Sequence, residues 1–312
     1  MELLVTRPDI NSSILLVLAM VLTCSSLASG TDENTTWESE GGHLVLIEQY
    51  TATWCETCSS VDEWMPDFTR DNSGRIVRVA IHDSVGDPLG TPITPHRIQI
   101  HTSAIVTPTF WMDGDLIVGG LPDQTALYQE LLSSESTRSD DSRMKLSLTK
   151  AHNSTVSLTL SILDGELEEA SRVSIFALLD KVELDDSQAT NGLNEHRDVV
   201  FAYAESSIND SNHWYYPEES WDQLQSTGTE KFPSSPIVIT TNLSLPEGLE
   251  LSNLRLVAVH ERINPDDGEP LTKGAVELFV GQDEAASGIG FIAPLGVIMV
   301  ISAFAITNQS RR

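Results

Sequence analysis

The chain has 312 residues and a formal net charge of −28, because 46 acidic residues stand against 18 basic ones. This excess of negative charge argues against nucleic-acid binding, since a phosphate backbone would repel the protein. Only five of the basic residues are lysines, and strong acidity with little lysine suits a secreted or salt-exposed surface that its charge keeps soluble.

The N-terminus has the pattern of a secretory leader. Residues 14–22 form an unbroken apolar run that follows Arg7, and small residues come after it. Because the run is too short to cross a bilayer as a helix, we predict a signal peptide over residues 1–28 and a polar spacer over residues 29–42. Cys24 lies in a sequence that resembles a lipoprotein cleavage site, so lipidation there is an alternative.

Cys55 and Cys58 would be the only cysteines left after removal of the predicted leader. The mostly apolar residues 43–50 predict a buried strand before them, and a helix is predicted from Ser59 onward. A structural zinc site would need two further ligands at similarly tight spacing, and the sequence has no second cysteine pair. The pair therefore predicts redox chemistry, with Cys55 as the exposed nucleophile at a helix N-terminus and Cys58 as the resolving thiol.

A second motif lies at residues 107–111, where Thr-Pro-Thr-Phe-Trp precedes an Asp-Gly turn and a further apolar run, which predicts a hairpin. Together with the earlier Trp-Cys-x-x-Cys, this motif resembles the thioredoxin superfamily over residues 43–133. The resemblance implies an α/β thioredoxin-like domain in which Pro108 is a cis-proline beside the disulfide. It also implies that the Thr107 backbone pairs with a substrate peptide and that Trp54 flanks the site.

The strand before the cysteines departs from the thioredoxin pattern. Gln49 stands six residues before Cys55, where thioredoxins carry a buried acid. Glu48, one place earlier, would point to the opposite face by strand alternation, so it is a candidate proton acceptor for Cys58 only if its carboxyl turns inward. The Glu-Gln-Tyr-Thr run that Glu48 opens, and His-Asp-Ser at residues 82–84 before Gly-Asp-Pro, also resemble Omp28-like outer-membrane proteins.

The second half of the chain has a different pattern of apolar and polar residues. After a polar linker at residues 134–143, apolar and polar residues alternate as they do in half-buried strands. Strands are predicted at residues 145–149, 155–160, 173–179, 236–242, 254–260 and 275–280. Because no stretch has the helical period, these strands predict an all-β, sandwich-like domain over residues 144–282, in which no catalytic constellation is recognisable.

The C-terminus predicts a membrane anchor. Residues 288–307 carry no charge and are predicted to form a transmembrane helix, because the run is long enough to span the hydrocarbon core. The terminal arginine pair then places residues 308–312 in the cytoplasm as a tail, and the rest of the chain outside it. A buried C-terminal helix and a sorting tail that is later cleaved are the alternatives. Sequons that fit an exposed glycoprotein stand at Asn34, Asn153, Asn209 and Asn242.

These features predict a membrane-anchored, extracytoplasmic thiol–disulfide oxidoreductase with one membrane span. Its substrates would be protein thiols or disulfides, with an unidentified redox partner and with neither cofactor nor metal. One alternative is a copper(I)-handling chaperone in which Cys55 and Cys58 act with His82, His96 or His101. A second is a permanent structural disulfide, although so small a loop would constrain the unfolded chain little. A third is a non-catalytic surface binding protein with a vestigial thioredoxin fold.

Overall fold

The fold is described from a computed structural model of the chain. The structure describes residues 35–101, 106–119, 122–138, 142–151, 154–164, 171–208, 212–227, 236–263 and 271–280. All of the described elements belong to one compact unit that begins at Thr36.

Strands dominate the secondary structure of these residues. The helices are α1 (Glu56–Asp62), α2 (Met65–Asp71), α3 (Ile93–His101) and α4 (Gln124–Thr137), with short 3-10 turns at Glu218–Ser220 and Leu251–Asn253. The strands are β1 (Thr36–Gly41), β2 (Val45–Thr51), β3 (Ile76–His82), β4 (Thr109–Met112), β5 (Asp115–Gly119), β6 (Met144–Lys150), β7 (Thr155–Ile162), β8 (Ser171–Glu183), β9 (Glu195–Ser207), β10 (His213–Tyr216), β11 (Gln225–Thr227), β12 (Ile237–Ser244), β13 (Leu254–Arg262) and β14 (Thr272–Phe279).

Local sequence explains where the helices begin. Cys55 is the N-cap of α1, with an extended backbone and a sulfur that accepts the N–H of Cys58. Pro66 lies in the first turn of α2, where its missing N–H would have had no helical partner. Asp123 caps α4, because its carboxylate accepts the N–H of Ala126 at 2.8 Å.

The strands form two sheets. The smaller sheet has the order β1-β6-β7-β12-β11 and is antiparallel throughout. The larger sheet has the order β14-β13-β8-β9-β3-β2-β4-β5, with β10 paired to β9. This larger sheet is mixed, because β2 runs parallel to β3 and β3 runs parallel to β9, whereas its other neighbours are antiparallel.

Three apolar cores stabilise this arrangement. The first lies between the two sheets and is built from alternate residues of their strands, such as Leu158 and Ile175. The second lies on one face of the mixed sheet, where Val79 packs with Ile93 of α3. The third joins β2 and β4 to α1, α2 and α4, with Val61 fully buried within it. The mixed sheet is therefore covered on both faces.

The predicted fold class is wrong. An α/β thioredoxin-like domain followed by a sandwich-like domain was expected, but β8, β9, β13 and β14 of the second half continue the sheet that holds β2 to β5. The junction forms because β9 pairs in parallel with β3, placing Ala80 opposite Val199. Across the described ranges the molecule is a mostly β structure of two sheets with four α-helices, and it does not have an α/β thioredoxin fold. Even the predicted spacer contains a strand, β1, which pairs with β6.

Both predicted membrane-related ends lie outside the described residues. This applies to the leader at residues 1–28, including Cys24, to the span at residues 288–307 and to the tail at residues 308–312, so all stay predictions. Within the ranges that the structure describes, no helix is both long and apolar enough for a bilayer span. Of the four sequons, Asn34, Asn153 and Asn209 also lie outside, whereas Asn242 is half-buried on β12.

Candidate functional site

Cys55 and Cys58 are joined by a disulfide bond at the start of α1. Cys58 is fully buried, whereas 7% of Cys55 is exposed. The N–H of Cys58 donates to Sγ of Cys55 at 3.1 Å. The same N–H can donate to a thiolate at that position after reduction, and a hydrogen bond to the charged form favours ionisation. Cys55 is therefore the less buried of the two cysteines.

The segment around Pro108 lies against Cys55. The carbonyl oxygen of Thr107 is 3.7 Å from Sγ of Cys55, which is a packing contact because a disulfide sulfur carries no hydrogen. The peptide bond between Thr107 and Pro108 is cis, as the resemblance implied. Two apolar side chains next in sequence to these groups are exposed, Trp54 at 43% and Val106 at 60%. The predicted substrate-binding roles of Trp54, Thr107 and Pro108 stay predictions.

A buried histidine–aspartate pair holds the backbone just before Cys55. Oδ2 of Asp87 accepts the N–H of Thr53 at 2.8 Å and lies 2.9 Å from Nδ1 of His82. Burial raises the pKa of Asp87, but its hydrogen bonds with His82 and with backbone N–H groups outweigh burial and lower the pKa. His82 packs edge-on against His196, with ring centroids 5.2 Å apart.

The connection between β8 and β9 reaches the same turn. The N–H of Asn191 donates to the carbonyl of Thr53 at 2.9 Å. Its side-chain amide donates to the carbonyls of Ala52 and Cys55, each at 3.3 Å. Sequence reasoning gave Asn191 no role, because 136 positions separate it from Cys55.

A buried charge network begins at the C-terminal end of α1. Asp62 accepts hydrogen bonds from Gln49 at 2.5 Å and from Arg78 at 3.1 Å, and Arg78 also donates to Asp198 at 3.1 Å. Burial lowers the pKa of Arg78, with Asp62 acting in the opposite direction. Because Asp62 follows Cys58 by four residues, the two lie on the same helix face. That spacing was the sequence signal for Asp62, which sequence reasoning missed.

The carboxylate of Glu48, the candidate proton acceptor, is bound elsewhere. It accepts hydrogen bonds from Arg97 at 2.6 and 2.8 Å and lies 3.0 Å from Nε2 of His101. Burial raises the pKa of Glu48, but the positive charges of Arg97 and His101 overcome it and lower the pKa to about 2. The structure thus brings Gln49, rather than Glu48, to the underside of α1. A carboxylate with so low a pKa is a weak proton acceptor for Cys58.

The three histidines of the copper hypothesis have other contacts. His82 bonds Asp87, His96 lies 3.0 Å from Glu205 and stacks on Trp214, and His101 stacks on Trp111. In the part of the chain that the structure describes, no group of three or more histidine, cysteine, aspartate or glutamate side chains could hold a metal ion.

A cavity of about 720 Å³ opens next to the charge network. Its lining includes Asp62 and Arg78 together with Asp198, Arg255 and Glu277. These charges satisfy one another, since Arg78 pairs with Asp62 and Asp198, and Arg255 pairs with Asp198 and Glu277.

Comparisons with known proteins inform the fold only. No protein-family model matches the chain, and no curated protein does. Among solved structures, HBP35 of Porphyromonas gingivalis is similar with a TM-score of 0.55 at 14% identity, over 76% of this chain and 74% of that one. Protein AGR_C_4864 from Agrobacterium tumefaciens has a TM-score of 0.47 at 14% identity, over 77% of this chain and 95% of that one. The likeness to HBP35 shows a related fold and nothing about activity.

Proposed function

We propose that this chain is a thiol–disulfide oxidoreductase that acts through the Cys55–Cys58 pair. The asymmetry of the pair carries the proposal: Cys58 is fully buried, whereas 7% of Cys55 is exposed and its sequence neighbour Trp54 is 43% exposed. A disulfide that served only as a staple would gain little from so short a loop. A less buried Cys55 instead suits disulfide exchange with a substrate, and a buried Cys58 suits resolution of the mixed disulfide within the protein.

The reaction is a two-electron exchange. A substrate thiolate attacks Sγ of Cys55, a new S–S bond forms, and the Cys55–Cys58 bond breaks with its electron pair leaving on Cys58. A second substrate thiolate then attacks the substrate sulfur of this mixed disulfide, and Cys55 leaves as a thiolate. The substrate is oxidised to a disulfide and the protein is reduced to a dithiol. In the opposite direction, the Cys55 thiolate attacks a substrate disulfide and Cys58 resolves the intermediate.

The surroundings of Cys55 support a protein substrate. Trp54 and Val106 offer exposed apolar contacts, and the carbonyl of Thr107 lies 3.7 Å from the reactive sulfur, where it can accept a backbone N–H of an extended segment. The Trp-Cys-x-x-Cys and Thr-Pro-Thr-Phe motifs, which resemble those of the thioredoxin superfamily, support the same chemistry although the fold differs. The extracytoplasmic, membrane-anchored setting is proposed from the leader and C-terminal patterns alone.

Trapping of the mixed disulfide tests the proposal. In Cys58→Ser the resolving thiol is absent, so we expect oxidised glutathione to leave a lasting adduct on Cys55, detected by mass spectrometry of the full chain. Cys55→Ser, which keeps only the buried cysteine of this pair, should form an adduct at Cys58 roughly 100-fold more slowly, because thiol exchange requires access; Cys24→Ser in both variants removes the third cysteine. Equal adduct rates in the two variants, or no adduct in either, would contradict the proposal.

A further inference from the structure

We propose that the side chains of Asn191, His196 and Asp198 position the redox site, with Asn191 acting on it directly. This inference rests on the proposed function and adds a tuning element to it. The backbone of residues 52–55 is termed the redox turn, and residues 191–198 are termed the bracing segment. The bracing segment enters from the connection between β8 and β9, so it belongs to the half of the chain that sequence reasoning left without a role.

Asn191 contacts three of the four residues in the redox turn. Its backbone N–H donates to the carbonyl of Thr53, and its side-chain amide donates to the carbonyls of Ala52 and Cys55. Both carbonyls can only accept, which fixes the amide with its nitrogen toward the turn. Its Oδ1 accepts the N–H of Leu193 at 3.1 Å, so the amide is oriented from both ends.

The bracing segment is anchored independently of the redox turn. The N–H of Leu184 donates to the carbonyl of Asn194 at 2.8 Å, which closes the connection where β8 and β9 pair. Inside it, the N–H of Ala189 donates to Asp185 at 3.0 Å and that of Gly192 donates to Ala189 at 3.1 Å. A loop held by its own hydrogen bonds can impose a geometry on its neighbour rather than follow it.

Two further contacts of the bracing segment reach the site through intermediates. His196 packs against His82, which bonds Asp87, and Asp87 accepts the N–H of Thr53. The N–H of Asn191 donates to the carbonyl of Thr53. Both backbone groups of Thr53, its N–H and its carbonyl, are therefore hydrogen-bonded.

The second indirect contact reaches α1. Asp198 accepts a hydrogen bond from Arg78, and Arg78 donates to Asp62 at the end of α1. The segment therefore acts on both ends of the stretch that carries the disulfide.

The amide of Asn191 has an electrostatic consequence for the reduced state. Reduction creates negative charge at Cys55, next to its own carbonyl and the carbonyl of Ala52. The amide hydrogens of Asn191 offset the partial negative charge of these two oxygens and so lower the cost of a thiolate. Loss of the amide should disfavour the thiolate and shift the equilibrium with glutathione toward the disulfide, because a less stable reduced form makes a weaker oxidant.

The test uses the full chain with Asn191→Ala, with the isosteric Asn191→Asp, and with Asn194→Ala as the matched control in the same connection. The side chain of Asn194 donates to Asp186, which lies in the connection and not in the redox turn. Two quantities are measured: the equilibrium constant with glutathione, and the pH midpoint of Cys55 alkylation in a Cys58→Ser background. For Asn191→Ala we expect the equilibrium to shift roughly three- to tenfold toward the disulfide, the scale of one hydrogen bond, with a higher alkylation midpoint.

Asn191→Asp should shift both quantities further in the same direction, because it places a carboxylate against the carbonyls while filling the same space. Asn194→Ala should leave both unchanged. If Asn191→Ala and Asn191→Asp match the wild type while the wild type exchanges reversibly with glutathione, the inference fails and the proposed function stands. If the Asn191 variants lose thermal stability but shift neither quantity, the inference also fails. If the wild type itself does not exchange, the proposed function fails first.

Discussion

Asp62 connects the redox helix to the sheet beneath it. Its carboxylate accepts hydrogen bonds from Gln49, from Thr51 at 2.7 Å and from Arg78, and only 7% of the residue is exposed. Arg78 is itself buried, so its charge depends on Asp62 and Asp198 for compensation. A buried pair of this kind is costly to break from one side, because the remaining charge stays in a poorly solvating interior.

We expect Asp62→Asn to lower the free energy of unfolding by about 3 kcal/mol, the lower range for breaking a buried ion pair. The matched control is Asp67→Asn, which breaks the surface pair with Arg70, whose side chains are 70% and 64% exposed. That control should cost less than about 1 kcal/mol. Urea unfolding of the three proteins measures the difference, and similar losses in the two variants would refute the role given to Asp62.

Single residues show what sequence reasoning can and cannot reach. The spacing of Cys55 and Cys58 was enough to predict a disulfide pair, which the structure confirms. Strand alternation correctly separated Glu48 from the face beneath α1, where Gln49 lies. The buried acid beneath α1, Asp62, comes from the helix instead of the strand, and only its four-residue spacing from Cys58 indicated it in the sequence.

Among the elements, α3 is joined to two strands of the mixed sheet by one buried arginine. Arg97 bonds Glu48 on β2 and, at 2.8 Å, Glu261 on β13, so one side chain of the helix joins two separate strands. Burial raises the pKa of Glu261, but Arg97 and Arg172 outweigh it and hold the pKa well below its usual range. The pKa of Glu48 is likewise lowered, to about 2. Protonation of either carboxylate would weaken its ion pair with Arg97, so the attachment of α3 to the sheet depends on pH.

The direction of this pH dependence follows from the lowered pKa values. A carboxyl whose pKa is lower in the folded state contributes stability that is present above its unfolded pKa, near 4.5, and is lost as pH falls toward the folded value, about 2 for Glu48. We expect the stability difference between the wild type and Glu48→Gln to shrink by about 2 kcal/mol between pH 5 and pH 3. Urea unfolding at both pH values measures it, with Glu130→Gln on the exposed side of α4 as control. A difference that is constant with pH would contradict the ion-pair explanation.

At the level of elements, local sequence patterns predicted most strands of the second half but not which strands pair with one another. Strands form at each of the six alternating runs of the second half. β9 was missed, because it begins with the charged residues Glu195, Arg197 and Asp198, all three of which take part in ion pairs. Charged residues at the start of a strand remove the apolar signal on which strand prediction depends.

The whole molecule is organised by the pairing of β9 with β3. That parallel contact makes one sheet out of strands that the sequence assigned to two domains, and it carries the bracing segment to the redox turn. Strand pairing over more than 100 positions leaves no periodic trace in either strand, so the sequence could predict the disulfide but neither the shared sheet nor Asn191.

The reduction potential of the Cys55–Cys58 pair in the full chain decides between a redox-active disulfide and a structural one. Equilibration in glutathione and dithiothreitol buffers, followed by trapping of free thiols, gives the fraction reduced. We expect a reversible two-electron couple between about −120 and −270 mV, the range of dithiol catalysts. A pair that stays oxidised down to below about −300 mV, as structural disulfides do, or that does not re-form after reduction, would contradict the proposed function.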